Sequence, residues 1–339
     1  MHIGILGGGN ISESHLKAAL EIDGLEVSAV CGQNREKVAA LASTCQAKTY
    51  SKTAEFLKHR PMDMVAIGSP SGVHAEQGIA AARAGLHVLV EKPIDINVER
   101  ADQLISECDE ANVKLGVFFQ DRVARDSLRL KRMIASGRLG DILLATAHVK
   151  WYRPPDYYGD SRWRGTWDLD GGGAVMNQAV HTVDLLLWLL GDVRSVSAFT
   201  RTQLHDIEVE DTAVAVLEFE SGALGTFEAS TSAFPGQPRK LFVSGSEGTV
   251  SLEHDRIVAI DLHSARESDA KPQTTGRNLS ESSPVVSDVT GHRNILQDFI
   301  EAINLDRPPL CDGSEARRSV ELVEAIYRSS REGAPVTLR

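Results

Sequence analysis

Over residues 1–120, short apolar runs alternate with stretches of helical periodicity. His2-Ile3-Gly4-Ile5-Leu6 reads as a buried strand, Gly7-Gly8-Gly9 as a turn, and Ser12 to about Glu21 as a helix. Apolar runs at Glu26–Cys31, Asp63–Gly68, His87–Val90 and Lys114–Phe119 predict further strands. Helices are expected near 73–84, 99–112 and 123–136. Strands that alternate with helices predict a parallel sheet covered on both faces. From Asp141 onward the period changes to two. Ile142, Leu144, Thr146 and His148 share one face, while Leu143, Ala145, Ala147 and Val149 share the other. Strands at 193–200, 212–219, 223–230, 240–244, 248–253 and 256–262 follow, with hairpin turns at Ser221-Gly222 and Ser246-Glu247-Gly248. Helices near 294–303 and 315–330 and a short strand at 335–338 close the chain. The expected fold is α/β. An N-terminal Rossmann dinucleotide-binding domain covers 1–120. A C-terminal α+β domain with an open, mostly antiparallel sheet covers 121–339.

One stretch breaks this rhythm. Three glycines, Gly171-Gly172-Gly173, precede one long helical pattern that runs to Gly191. Val175, Val183, Leu186, Leu187 and Leu190 form a stripe suited to burial. Asn177 and His181 stand at i and i+4, with Asp184 one turn further on. Polar groups on an apolar helix must be solvated, hydrogen-bonded or in use. A core histidine held by Asp184 or Asn177 is the plain structural reading.

Composition narrows the class. A chain of 339 residues suits two domains rather than one core. The net charge of -11 argues against nucleic acid or an anionic membrane as partner. Cys31, Cys45, Cys108 and Cys311 are scattered without metal-ligand spacing, which gives no metal signal and fits a reducing, cytoplasmic compartment. No signal-peptide pattern precedes the first strand, and the apolar run after Gly173 is too short to span a bilayer.

The glycine turn between a strand and a helix is the context of the dinucleotide fingerprint. Gly7 permits the turn, and Gly9 lets the backbone approach a pyrophosphate at the helix N-terminus. Ser12 replaces the third glycine and is small enough for close helix–strand packing. After the second strand the chain reads Gly32-Gln33-Asn34-Arg35, without the acid that reads a ribose 2'-hydroxyl. Arg35 can meet a 2'-phosphate, so the cofactor is read as NAD(P), with NADP slightly favoured; otherwise Arg35 is a solvated residue at a helix start. Ligands of parallel α/β sheets bind beyond the carboxyl ends of the strands. Ser69-Pro70 and Glu91-Lys92-Pro93 fall there. A partly buried lysine near a cationic ring has its pKa lowered, which suits proton transfer. The competing reading is a surface lysine.

Gly7-Gly8-Gly9-Asn10-Ile11 with His15, Ser69-Pro70-Ser71 with His74, Glu91-Lys92-Pro93, and the Gly171–Asp184 stretch together resemble the glucose–fructose oxidoreductase / inositol dehydrogenase (Gfo/Idh/MocA) family. The resemblance spans almost the whole chain. It implies cofactor contacts from Gly7, Gly9, Asn10, Ile11, Arg35, Ser69, Pro70, His74, Glu91 and Lys92. It also implies an NAD(P)-dependent oxidoreductase acting on a secondary alcohol or ketone of a sugar, sugar derivative or cyclitol, and a homodimer or homotetramer paired through the open sheet. Lys92 and His181 are then the expected catalytic pair. Many relatives carry Asp at the position of Asn177. Asn cannot accept a proton, so Asn177 is left to orient substrate or His181. Asp184 is expected to fix the His181 ring or to bind substrate. His15 and His74, each just inside a helix start, also admit a purely structural reading.

Between 151 and 167 lie three of the four tryptophans and three of the five tyrosines. Tyr152, Arg153, Trp163 and Arg164 are expected to bind substrate, rings facing sugar CH groups and guanidinium forks facing hydroxyls or acids. With Arg162, the arginines would suit an anionic substrate. A structural loop latched onto the sheet explains the same residues. Two other functions compete: a dinucleotide-binding regulator without turnover, and a reductase of a non-sugar substrate. Keeping both Lys92 and His181 favours the enzyme over the regulator.

Overall fold

The computed structural model describes the chain apart from residues 160, 162, 265–287 and 339. Arg162 and most of the Ser-, Asp- and Thr-rich loop expected over 264–290 therefore lie outside the described residues.

The chain forms two units. The first joins Met1–Gln120 with the described residues of Pro284–Arg317; the second joins Asp121–Ser283 with Arg318–Arg339. The first unit runs β1 (His2–Leu6), α1 (Asn10–Leu20), β2 (Glu26–Cys31), α2 (Arg35–Ser43), β3 (Lys48–Tyr50), α3 (Thr53–Phe56), β4 (Met64–Ile67), α4 (His74–Arg83), β5 (His87–Val90), α5 (Val98–Glu110) and β6 (Leu115–Val117). The strands make a six-stranded parallel sheet ordered β3-β2-β1-β4-β5-β6. This is the dinucleotide-binding arrangement, whose order reverses between β1 and β4. Ile3, Ile5, Val65, Ile67, Val88 and Val90 are fully buried, as strands covered on both faces require. Asn34 and Asn97 cap α2 and α5, accepting from Lys37 N at 3.1 Å and Arg100 N at 2.9 Å.

Helix α9 (Thr290–Asn304) also belongs to the first unit, although it follows the second in sequence and was expected there. Its apolar side explains the placement. Ile295, Leu296 and Phe299 are buried, and Phe299 lies so close to Gly116 of β6 that a Cβ there would meet its ring at 2.8 Å.

The second unit holds α6 (Arg125–Ala135), β7 (Ile142–Lys150), α7 (Asp156–Gly159), α8 (Val180–Leu190), β8 (Val193–Arg201), β9 (Thr212–Phe219), β10 (Leu224–Ser230), β11 (Lys240–Gly245), β12 (Gly248–Glu253) and β13 (Arg256–Leu262). Most of α10 (Gly313–Glu332) and β14 (Val336–Thr337) complete it. Its eight strands are ordered β13-β12-β11-β7-β10-β9-β8-β14. All pairings are antiparallel except β7 with β10. No helix among the described residues is long and apolar enough to cross a membrane.

The stretch after Gly173 differs from the single helix expected. Ala174–Ala179 form a π-turn, and α8 begins only at Val180. Gly173 O accepts from both Asn177 N at 3.2 Å and Gln178 N at 3.3 Å, which widens the turn. Glu210, just before β9, holds the start of this turn. Its carboxylate takes Gly173 N at 3.1 Å and Val175 N at 2.8 Å, and its backbone oxygen takes Ala174 N at 3.0 Å. These are first-turn amides, which have no partner within the helix, so Glu210 caps and anchors the start of the turn. Gly191, at φ 90°, ends α8.

Candidate active site

In the first unit the site begins at the glycine turn. Gly7 has φ 142°, and a Cβ there would meet Ser12 Oγ at 2.5 Å and Gly68 O at 2.7 Å. Packing thus demands Gly7, and the buried Ser12 fills the third-glycine position. Gly9 is different. It precedes α1, no side chain caps that helix end, and a Cβ would meet nothing within 4 Å. The exposed amides of Gly9 and Asn10 and the half-buried Ile11 leave an open helix N-terminus. Such a terminus fits a pyrophosphate, whose close approach favours glycine at position 9.

Gly32 lies at the end of β2, where a Cβ would meet Gly7 O and Val38 Cγ2, each at 2.9 Å. The missing acid there is a packing requirement before it is a cofactor signal. Arg35 is exposed at the start of α2.

Ser69 donates to Gln77 Oε1 at 2.5 Å, and Pro70 follows it in a half-buried turn. His74 is buried, and its ring nitrogens lie 2.8 Å from Pro93 O and 2.9 Å from Ser69 O. The ring ties the ends of β4 and β5 together, so its nitrogens are not offered to a cofactor as expected. The Lys92–Pro93 bond is cis. Lys92 is half-buried, and its backbone N–H donates to Glu91 Oε2 at 3.2 Å. Glu91 itself is buried. Its other oxygen accepts from His15 Nε2 at 3.0 Å and lies 3.3 Å from His292 Nε2. Its carboxylate is therefore turned to the protein and not, as expected, to a cofactor. Burial pushes this carboxyl up, but the His15 and His292 imidazoles outweigh it and hold it well below the usual carboxylate range. His292 was not visible as a site residue in the sequence: its only mark is a histidine near the start of an amphipathic helix.

In the second unit, Asn177 lies in the π-turn and His181 one residue into α8, both half-buried. Asn177 donates to Asp170 and accepts from Gln178 Nε2 at 2.8 Å. Asp184 is fully buried and faces elsewhere than expected. Arg122 donates to it twice, at 2.8 Å and 2.7 Å, and Ser319 at 3.3 Å. Arg122 and Ser319 account for the burial of this carboxylate without a ligand. Arg122 lies 62 residues from Asp184, beyond any periodicity argument.

The aromatic and basic segment meets the same π-turn. Arg153 is buried and donates to Gln178 Oε1 at 3.1 Å and 2.8 Å, while Gln178 donates to Tyr157 OH at 2.8 Å. The guanidinium of Arg153 stands over Trp151 at 4.9 Å and Tyr157 at 5.5 Å. Arg153 therefore braces the loop rather than offering a free fork. Arg164 lies over Tyr157 at 4.5 Å and Trp163 at 5.2 Å, and its buried Nε has no hydrogen-bond partner among the described residues. Tyr152 packs edge-on against Phe234 at 5.3 Å.

Known proteins fall in line with this geometry. Residues 1–119 match the oxidoreductase family with an NAD-binding Rossmann fold, and residues 127–251 match the GFO/IDH/MocA C-terminal domain. The chain is 27% identical to myo-inositol 2-dehydrogenase of Thermotoga maritima, over 100% of this chain and 98% of that protein. It is 29% identical to D-xylose 1-dehydrogenase (NADP(+)) 2 of Haloferax volcanii, over 100% of both. It is 35% identical to the WlbA dehydrogenase of Bordetella pertussis, solved with NADH and UDP-GlcNAcA, with a TM-score of 0.91 over 100% of this chain and 98% of that one. With both of its regions matched, this chain is a member of the GFO/IDH/MocA family of NAD-binding oxidoreductases.

Proposed function

We propose that this oxidoreductase oxidises or reduces a secondary alcohol or ketone on a sugar that carries an anionic group, with a nucleotide-linked sugar acid as the first candidate. The carrying observation is the polar chain Asn177–Gln178–Arg153/Tyr157, which runs from the π-turn into a guanidinium–aromatic stack ending at the unpartnered Nε of Arg164. The likeness to a relative crystallised with NADH and UDP-GlcNAcA supports the same substrate class.

In this reading the first unit binds the dinucleotide and the second binds the sugar. A bound nicotinamide supplies or accepts the hydride. The chain's own work is to bind, orient and move the hydroxyl proton. His181 serves as base, Lys92 holds the substrate oxygen and assists, and Asn177 orients by hydrogen bonding. Arg164 donates to the anionic group, with Tyr152 and Trp163 as apolar walls. Arg35 decides between NADP and NAD.

The test is nicotinamide absorbance during turnover of myo-inositol, D-xylose, UDP-N-acetylglucosamine and its uronic acid. The acid is expected to be preferred, and Arg164→Gln to raise KM for the acid alone. Turnover of neutral sugars only would refute the anionic substrate. Cofactor binding without any turnover would return the regulator reading.

The outer face of the second sheet supports a homo-oligomer. Leu144, Leu224, Val216, Val214 and Phe199 are exposed on one face of β7, β10, β9 and β8, aligned by register. A second copy is the occupant proposed here. Light scattering of wild type against Val216→Glu tests it: an unchanged mass would refute it. The four cysteines form no disulfide, in keeping with a cytoplasmic location.

A further inference from the structure

Glu91, His15 and His292 form a buried knot next to Lys92 in the first unit. Three elements supply it: His15 from α1, His292 from α9, and Glu91 from the end of β5. Phe118 stacks on the His15 ring at 4.4 Å and lies 5.4 Å from the His292 ring. Both rings turn Nε2 toward Glu91 Oε1. An ionised carboxylate is acceptor-only, so the rings approach it as N–H donors. Burial pushes the His15 pKa down, and its Nδ1 has no hydrogen-bond partner among the described residues. His292 Nε2 stands 3.3 Å from the same oxygen, within ion-pair range, without a hydrogen bond of ordinary geometry to any described residue.

The three ligand-type atoms lie within 4.8 Å of one another, a spacing that a metal ion could also use. Two features argue otherwise. Both rings address a single oxygen, and a metal-bound imidazole ordinarily gives its second nitrogen to an acceptor, which His15 Nδ1 lacks. The remaining oxygen of Glu91 holds the Lys92 backbone N–H, while Pro93 O lies on His74. The carboxylate is thus the anchor of the Lys92 main chain on one side, and the two imidazoles fix the carboxylate.

We propose that His292 is a positioning residue for Lys92, acting through the Glu91 carboxylate. Its effect on turnover rests on the reading above, in which Lys92 holds the substrate oxygen; its effect on Lys92 itself does not. His292→Leu fills the same space without a donor, and His292→Gln restores an N–H. The Leu variant is expected to lose at least about tenfold in kcat with KM within about twofold, since small misplacements of a reacting group are costly. The Gln variant should recover most of it. Independently of turnover, competitive acetylation of Lys92, read by peptide mass spectrometry, should change in the Leu variant and return to wild type in Gln. If His292→Leu does not fold, His292→Asn, too short to reach Glu91, takes its place.

Unchanged Lys92 labelling in a folded Leu or Asn variant overturns the proposal, as does a Gln variant no better than Leu. About one zinc per chain in purified wild type, lost with His292, overturns it in favour of a metal site. Labelling that responds while no sugar is turned over upholds the positioning role and removes only the catalytic reading of Lys92.

Discussion

Replacing Arg122 with Met should unbalance the second unit without touching the chemistry. Arg122 is 1% exposed and Asp184 0%, and two charge-assisted hydrogen bonds at 2.8 Å and 2.7 Å join them. Burial pushes the Asp184 carboxyl up, and the Arg122 charge and hydrogen bonds oppose it. Methionine fills much of the space but leaves the carboxylate with Ser319 alone. Breaking a buried pair in this way costs about 3–5 kcal/mol. For a unit of this size that lowers Tm by about 6–20 °C. The sign of the pH dependence follows. Without Arg122, the folded-state pKa of Asp184 rises further above its unfolded value. The penalty then grows by about 1.4 kcal/mol for each pH unit above the ordinary carboxyl range, until pH passes the folded-state pKa and the folded state also gives up its proton. The variant should therefore lose less at pH 5 than at pH 8. Arg122→Met with Asp184→Leu should regain most of the loss, because an apolar pair leaves no buried charge. Calorimetry at both pH values and steady-state kinetics on the folded fraction are the assays. If Asp184→Leu in the double variant lowers kcat tenfold with stability restored, Asp184 serves His181 after all and the structural assignment is wrong.

Glu210→Gln tests a second buried carboxyl, which burial pushes up to about 7 against donors from Val175 N, Gly173 N and Tyr327 OH. A folded pKa raised this far means stability falls as pH rises from about 4.5 to 7, by up to roughly 3 kcal/mol. Melting curves of the Gln variant should lack that slope. Gly173→Ala would drive a Cβ into Glu210 O, so soluble expression or Tm should fall sharply, whereas Gly9→Ala, with open space, should leave Tm within about 2 °C and weaken dinucleotide binding in a fluorescence titration. Arg35→Ala should weaken NADPH binding more than NADH binding; equal effects would remove Arg35 as the discriminating residue.

The parallel sheet and its glycine turn were legible because their determinants are local. Periodicity marks β1 and α1, and Gly7 is required by neighbours a few residues away. Helix α9 shows the limit. Its amphipathic pattern predicts a helix, but nothing local says which sheet it will cover. The same holds for the polar ladder at Asn177, His181 and Asp184. Spacing put the three on one α-helical face, yet the π-turn changes that spacing, and Glu210, which holds its first amides, lies 37 residues from Gly173. The Arg122 partner of Asp184 was out of reach for the same reason, since it is 62 residues away. His74 was read at a helix start and Glu91 at a strand end, where both stand, but what their polar atoms bind is tertiary information.

A functional group must be held within a fraction of an ångström, and a half-buried side chain next to a turn cannot do that by itself. Here the holding is electrostatic and remote. Lys92 stands beside a carboxylate fixed by His15, 76 residues from it in sequence, and by His292. The His181 helix starts at amides fixed by Glu210, which Tyr327 grips from 117 residues away, and it is pinned further along by Arg122. Each anchor is a buried charge, which costs stability unless every partner is present. Loss of one partner should therefore couple folding to activity, the more strongly the nearer the anchor lies to a reacting group. Variants of Arg122 and His292 separate the two effects: the first should act on Tm with kcat kept in the folded fraction, the second on kcat with Tm largely kept. Indistinguishable behaviour of the two would mean that burial alone, and not the position of Lys92, explains the geometry of the knot.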